Sequence, residues 1–225
     1  MRPDIVYEDN NIIICNKAPG VASQSERGFE VDLLSSVMTY RSGKKESPTA
    51  HIINRLDKPV GGLVLFAKDS KTAAALSALS GEHSIEKMYY AVVSGTPESK
   101  GEFKDYLVKD GKNNISRVCS KDMPNAKNAL LSYEVLETKK IVDKEYSLVR
   151  IKLYTGRHHQ IRVQFSSRGF GLYGDMKYNK DFAEKRGITP ALFAYSLSFK
   201  NPVGAERIRV EINPKGKIWD FEYFK

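Results

Sequence analysis

The sequence predicts an α+β fold with a mixed sheet. Three observations carry that prediction. From Tyr89 onward, strand-like segments follow one another with little between them. Apolar residues alternate with charged ones at Val149, Ile151 and Leu153 and again at Ile208, Val210 and Ile212, the period of a half-buried strand. Helical spacing is confined to a few short stretches, so helices flank a sheet rather than alternate with its strands.

In chain order, Ile12-Ile13-Ile14-Cys15 reads as a buried strand ended by Ala18-Pro19-Gly20. Val31, Leu34, Val37 and Met38 recur at helical spacing, and the polar stretch from Arg41 to Pro48 reads as an exposed loop. Gly62 to Ala67 is a central strand. Asp69 caps a helix running through Ala73, Leu76 and Leu79 to the stop residue Gly81. Tyr90 to Val93 is a buried strand, and Asp110-Gly111 marks a hairpin between Tyr106–Val108 and Ile115–Val118. Ile161 and Phe165 sit four apart on a helix that stops at Gly169. With no linker, repeat or composition shift, residues 1–225 are taken as a single catalytic domain.

Composition narrows the chemistry. The 225 residues carry 36 Lys and Arg against 27 Asp and Glu, a net charge of +9, which makes polyanions the default partner class. No apolar run approaches the roughly 18 residues a membrane span needs, and the acidic opening does not read as a signal peptide. Cys15 and Cys119 are too few and too far apart for a disulfide framework, so a reducing cytoplasm is expected. The four histidines include the adjacent pair His158 and His159, which on a helix would point about 100° apart and make a poor ligand pair. No metal is expected. Neither GxGxxG nor GxxxxGK[ST] occurs, so no cofactor is expected either, and the chemistry must run on side chains.

Three stretches could carry it. Asn54-Arg55-Leu56-Asp57-Lys58-Pro59-Val60-Gly61-Gly62 places a carboxylate on a turn entering a buried strand, a way for a rigid sheet to present a reactive group. The plainer reading is a turn aspartate paired with Arg55 or Lys58, and spacing alone leaves both open. Thr155-Gly156-Arg157-His158-His159-Gln160-Ile161-Arg162 sets two arginines around a strand-to-helix passage. If Arg162 reaches Asp57, its charge keeps the carboxylate ionised; otherwise this is a solvated helix end. Glu86 to Gly95 holds Tyr89, either a stacking platform for a base or a core tyrosine.

Taken together, these stretches resemble the RluA-type pseudouridine synthases. The family's HRLD-x-x-TSGLLL-x-AK reads here as residues 54 to 68, its K-x-Y-x-A-x-V-x-G as Lys87 to Gly95, and its GR-x-HQIR-x-H as Gly156 to Gln164. Its P-x-x-GD-x-x-Y element appears as Gly171 to Tyr178 and its terminal LHA-x-x-L-x-F-x-HP as Leu192 to Pro202. Asn16 to Gly20 is similar to the family's opening turn. The sequence departs from the pattern at five places, Asn54, the pair Val60-Gly61, Gln164, Gly171 and Phe193, none of them the Asp, the Lys-x-Tyr pair or the Arg.

The resemblance implies a mixed, mostly antiparallel sheet split by a central cleft that holds Asp57. It implies isomerisation of uridine to pseudouridine in ribosomal or transfer RNA, without cofactor or metal. Asp57 would be the essential carboxylate, Tyr89 would pack against the target base, and Arg162 would hold Asp57 ionised. Arg55, Lys87, Arg157, His159 and Gln160 would bind substrate. The family's catalytic opening falls within the first residues here, so the small N-terminal RNA-binding appendage of many relatives is expected to be missing. A monomer is expected. The basic stretches Arg41–Lys45, Lys109–Lys127 and Lys177–Arg186 are candidate phosphate contacts. A catalytically inactive RNA-binding protein of the same fold is the alternative. A glycoside hydrolase is disfavoured because no second carboxylate has a comparable setting, the Gly174-Asp175 turn reading as structural.

Overall fold

The computed structural model describes residues 1–25, 30–204 and 206–225. Its elements are β1 (Asp4–Glu8), β2 (Ile12–Lys17), α1 (Leu33–Gly43), β3 (His51–Ile52), β4 (Gly61–Ala67), α2 (Ser70–Gly81), β5 (Glu86–Ser94), β6 (Lys100–Asp110), β7 (Ile115–Cys119), β8 (Lys127–Ile141), β9 (Lys144–Leu153), α3 (Gln160–Ser166), β10 (Leu192–Lys200) and β11 (Arg207–Glu211). Strands dominate and helices are few, the predicted α+β class. They fall into two compact units, one of residues Met1–Glu86 and Ala194–Pro214, the other of Lys87–Phe193 and Lys215–Lys225. Among the described residues, no helix is long and apolar enough to cross a membrane.

In the first unit the strand order is β1-β2-β4-β10, with β11 beside β10 and β3 beside β4. Every residue of β4 is buried, as its uninterrupted apolar run predicts, whereas β11 alternates, burying Ile208 and Val210 and exposing its charged residues. Ile12, Ile14, Leu63 and Leu65 pack with Leu76 of α2 and with Leu197 and Phe199 of β10. Each such side chain contributes about 1.5–3 kcal/mol by leaving water. Gly62 has φ +116°, and a Cβ there would lie 2.2 Å from the Ala194 carbonyl oxygen, so only glycine fits this close approach.

The helix α1 differs from its prediction. Asp32 caps it, accepting from the Ser35 amide in a capping box, so the helix begins at Leu33 and runs to Gly43. Leu33 and Val37, one turn apart, are the buried pair, while Val31 lies outside and 64% exposed. Arg41 belongs to the helix and not to an exposed loop: it is buried, donating to the carbonyls of Thr49 and Lys68 and pairing with Glu46. That removes it from the candidate phosphate contacts.

Around it, Glu8 accepts from Lys68 at 2.7 Å, Lys44 at 2.9 Å and Tyr40 at 2.9 Å. Desolvation alone would push the Glu8 carboxyl up, but these three donors outweigh it and pull the carboxyl down to about 2. A carboxyl held below its ordinary value near 4.5 stabilises the fold fully above that pH, and the contribution fades as pH falls towards 2. The urea midpoint is therefore expected to drop between pH 6 and pH 3, with a shallower drop in Glu8→Gln. Equal slopes in the two proteins would remove Glu8 as a cause.

In the second unit the order is β5-β9-β8-β6-β7, all antiparallel. The β6–β7 hairpin forms where Asp110-Gly111 predicts it, with Asp110 accepting from the amides of Lys112 and Asn113. The turn between β8 and β9 is Val142-Asp143, both at positive φ, which suits a tight hairpin but carries no Asn-Gly signal. α3 lies on this sheet through the rings of Phe165, Phe103 and Tyr133, with centroids 4.9–5.4 Å apart. Val163 packs on Leu107 and Ala129.

Candidate active site

The loop carrying Asp57 sits between β3 and β4 of the first unit, where Arg55 is exposed and Asp57 half-buried. Its backbone is held at several points. The Val60 amide donates to the Asp57 carbonyl at 2.9 Å and closes the turn. Ser23 Oγ donates to the Leu56 carbonyl at 2.9 Å and accepts from the Leu56 amide at 3.0 Å. On the other side, the Lys58 carbonyl accepts from the Gly20 amide at 2.8 Å and from Lys17 Nζ at 3.1 Å. Lys17 is buried, and its ammonium also donates to Val21 O at 2.7 Å and Ala18 O at 3.2 Å. Burial pushes that ammonium down to about 8, and the Asp57 charge works against the fall. Asn54, where the family pattern has His, donates from Nδ2 to Leu63 O at 3.2 Å and accepts at Oδ1 from the Leu65 amide at 2.8 Å.

The other motif residues belong to the second unit. Tyr89 is buried on β5 opposite Ile151, and Lys87 lies opposite Leu153 on the same strand. Burial pushes the Lys87 ammonium below its usual range. His159 precedes α3 in the left-handed region with φ 54°, so the strand-to-helix passage is tighter than a simple helix start. Gln160 is buried and braces that passage: its Oε1 accepts from Thr155 Oγ1 at 2.8 Å and from the Arg157 amide at 3.0 Å, and its Nε2 donates to Leu130 O at 3.2 Å. Arg157 Nε donates to Asn128 O at 2.8 Å.

Arg162 has a partner not anticipated from sequence. Its Nε and Nη2 each donate to the Asp175 carboxylate at 2.7 Å, a bidentate pair in which the side chains are 4% and 0% exposed. Asp175 also accepts from the amides of Lys177 and Tyr178. The Tyr178 ring lies 5.1 Å from the guanidinium carbon. Gly174 makes this turn possible: φ is +76°, and a Cβ would meet Thr189 O at 2.3 Å. The Gly-Asp turn is structural, as its sequence suggests, and what it builds is the seat of Arg162.

His158 and His159 do not project from a helix at 100°. They precede α3, and their rings stack with centroids 3.7 Å apart. His158 Nδ1 meets Ser116 Oγ at 2.8 Å and His159 Nδ1 meets the Tyr178 hydroxyl at 2.7 Å. Among the described residues, no group of three His, Cys, Asp or Glu is arranged to hold a metal. Gln164, also His in the family pattern, is buried and donates to Asp105 Oδ2 at 2.7 Å and to the carbonyls of Phe103 and Ala129, fastening α3 to β6 and β8. An open hollow lined by Met88, Lys100, Glu102, Glu134, Arg150 and Lys152 contains none of the candidate site residues. Its mixed charges suit a solvated sheet face.

The family model described as RNA pseudouridylate synthase matches residues 11–167. A ribosomal large subunit pseudouridine synthase D from Zymomonas mobilis is 28% identical over 91% of this chain and 67% of its own length. A protein of the same name from Neisseria meningitidis is 30% identical over 94% of this chain, which spans 58% of that relative. The tRNA pseudouridine synthase C of Haemophilus ducreyi is 31% identical over 93% of this chain and 90% of its own length. Among solved structures, human RNA pseudouridylate synthase domain containing 1 superposes with a TM-score of 0.79 over 95% of this chain and 84% of that one, at 23% identity, a likeness of fold.

Proposed function

The chain belongs to the RNA pseudouridylate synthase family, and from that premise we propose that it isomerises uridine to pseudouridine within ribosomal or transfer RNA. One observation carries the reading: a carboxylate on a turn braced on both sides, inside the segment the family model covers. The reaction breaks the bond from ribose to the glycosidic nitrogen of uracil, turns the base over and joins ribose to carbon 5; the carbon-5 proton leaves to water and the freed nitrogen takes up a proton in its place. Atoms and electrons balance without an oxidant or a nucleotide.

Asp57 is the essential carboxylate. Attack on the anomeric carbon, addition to carbon 6 of uracil and removal of the ribose carbon-2 proton each require it ionised. Tyr89 packs against the base and assists loss of the carbon-5 proton. Arg162, its fork oriented by Asp175, is the third catalytic residue of this reading. Arg55, which is exposed, helps hold the opened RNA, offsetting the few kcal/mol needed to extrude a base. Lys87, Arg157, His159 and Gln160 take part in binding the RNA, Gln160 also bracing the passage that carries Arg157. The motif residues are divided between the two units, and the reading has both act as one catalytic domain on one nucleotide. It places the protein in the cytoplasm as a monomer.

The test is release of tritium from RNA labelled at carbon 5 of uridine and transcribed without modification, with ribosomal and transfer RNA in separate reactions. Release from one of them is expected and identifies the substrate class. Silence with both, with RNA binding intact, overturns the reading.

A further inference from the structure

The geometry points to Ser23 and Asn54 as positioning residues for Asp57, an assignment that rests on the proposed isomerase reading. Three facts carry it. Ser23 is 4% exposed, and its one hydroxyl serves both polar backbone groups of Leu56, 33 residues away in sequence. The Leu56 carbonyl belongs to the peptide unit that leads into Asp57, so this bond fixes the plane from which the Asp57 side chain departs. Two residues before Leu56, the Asn54 carboxamide does the work of a strand neighbour, accepting from the Leu65 amide and donating to the Leu63 carbonyl. The Ile53 amide, donating to Leu65 O at 2.9 Å, ends the regular pairing just before it. The stretch leading into the carboxylate is thereby tied to the buried strand β4 at one end and to Ser23 at the other.

The residue types suit the task. A serine hydroxyl donates once and accepts as well, which is what a lone amide and carbonyl on one residue require. A planar carboxamide offers a donor and an acceptor side by side, matching the spacing of a peptide edge. A neutral imidazole in its place also has one donor and one acceptor, but set on a ring with different spacing and direction. Asn54 is therefore a functional replacement for the histidine of the family pattern in this chain, holding the loop through backbone groups of β4.

A purely stabilising role predicts a different result from a positioning role, and kinetics separate them. Reacting groups displaced by about 1 Å lose on the order of 100-fold in rate. Ser23→Ala is expected to lower kcat about 100-fold while KM and RNA affinity stay within about twofold, because the RNA-contacting side chains are untouched. Ser23→Thr, which keeps the hydroxyl, is expected to recover at least about tenfold of that loss. Asn54→Leu, of similar size but without hydrogen bonds, should follow Ser23→Ala. The inference is overturned if kcat per folded molecule is unchanged in Ser23→Ala and Asn54→Leu, or if the loss falls on KM rather than on kcat. Should the native protein release no tritium from any RNA, the isomerase reading fails and amide hydrogen exchange decides the positioning separately. Faster exchange confined to residues 53–60 in Ser23→Ala supports it, and unchanged exchange there overturns it.

Discussion

Replacing Asp57 with asparagine is expected to abolish tritium release, a loss of at least about 10³-fold, while RNA binding changes little. The expectation follows from chemistry and from how the loop is held. Asparagine keeps the size of the side chain but has no anionic oxygen, so nucleophilic attack on either carbon and proton abstraction from the ribose all fail together. A thousandfold loss corresponds to about 4 kcal/mol of barrier. The braces at Leu56 and Lys58 engage backbone carbonyls and an amide, which the substitution leaves in place. Fluorescence anisotropy of labelled RNA should therefore give nearly the same Kd for both proteins, and their urea midpoints should agree closely. Residual turnover above about one part in a hundred would show that another group carries the reaction. Loss of binding together with release would make Asp57 a recognition residue.

The parts of the fold that could be read from sequence are those with a local physical signal. β4 declares itself by an apolar run, α2 by Asp69 as its cap and by the i, i+3 spacing of Ala73, Leu76 and Leu79, and the β6–β7 hairpin by Asp110-Gly111. α1 was harder because two signals compete. Apolar spacing draws in Val31, but Asp32 accepts the Ser35 amide and starts the helix at Leu33, leaving Val31 in solvent. Arg41 looks like an exposed cation because composition cannot distinguish water from carbonyl oxygens as its partners; the carbonyls of Thr49 and Lys68 replace water here. The Val142-Asp143 turn has a β-branched residue at positive φ, against local preference, and is held in register by the β8–β9 pairing around it.

The candidate site divides along the same line. Asp57, Tyr89 and Arg162 stand in contiguous motifs and are legible. Ser23, Asp175 and the two contacts of Asn54 act across gaps of 9 to 33 residues, where no periodicity links the partners. The one available signal was the Gly174-Asp175 pair, which marks a tight turn but does not name the guanidinium it receives.

That guanidinium makes Asp175 the position where substitution is expected to cost the fold most. Asp175→Ala takes from Arg162, a cation 4% exposed, its bidentate acceptor, and removes the carboxylate oxygen that accepts from the amides of Lys177 and Tyr178. Removing one member of a buried ion pair costs about 3–5 kcal/mol, because the remaining charge keeps its desolvation penalty and loses its partner. Asp175→Ala should therefore lower the urea midpoint strongly and lose tritium release. The double variant Asp175→Leu with Arg162→Met separates the two effects. An apolar pair of similar volume removes both desolvation penalties and in such cases is often neutral or better for stability. It is expected to recover much of the lost stability and none of the activity, since Arg162 is gone. Recovery of both would show that the ion pair serves the fold alone. Recovery of neither would mean that the lost bonds from the amides of Lys177 and Tyr178 to Asp175 dominate the loss, and Asp175→Asn, which keeps an oxygen for them, should then be the milder single change.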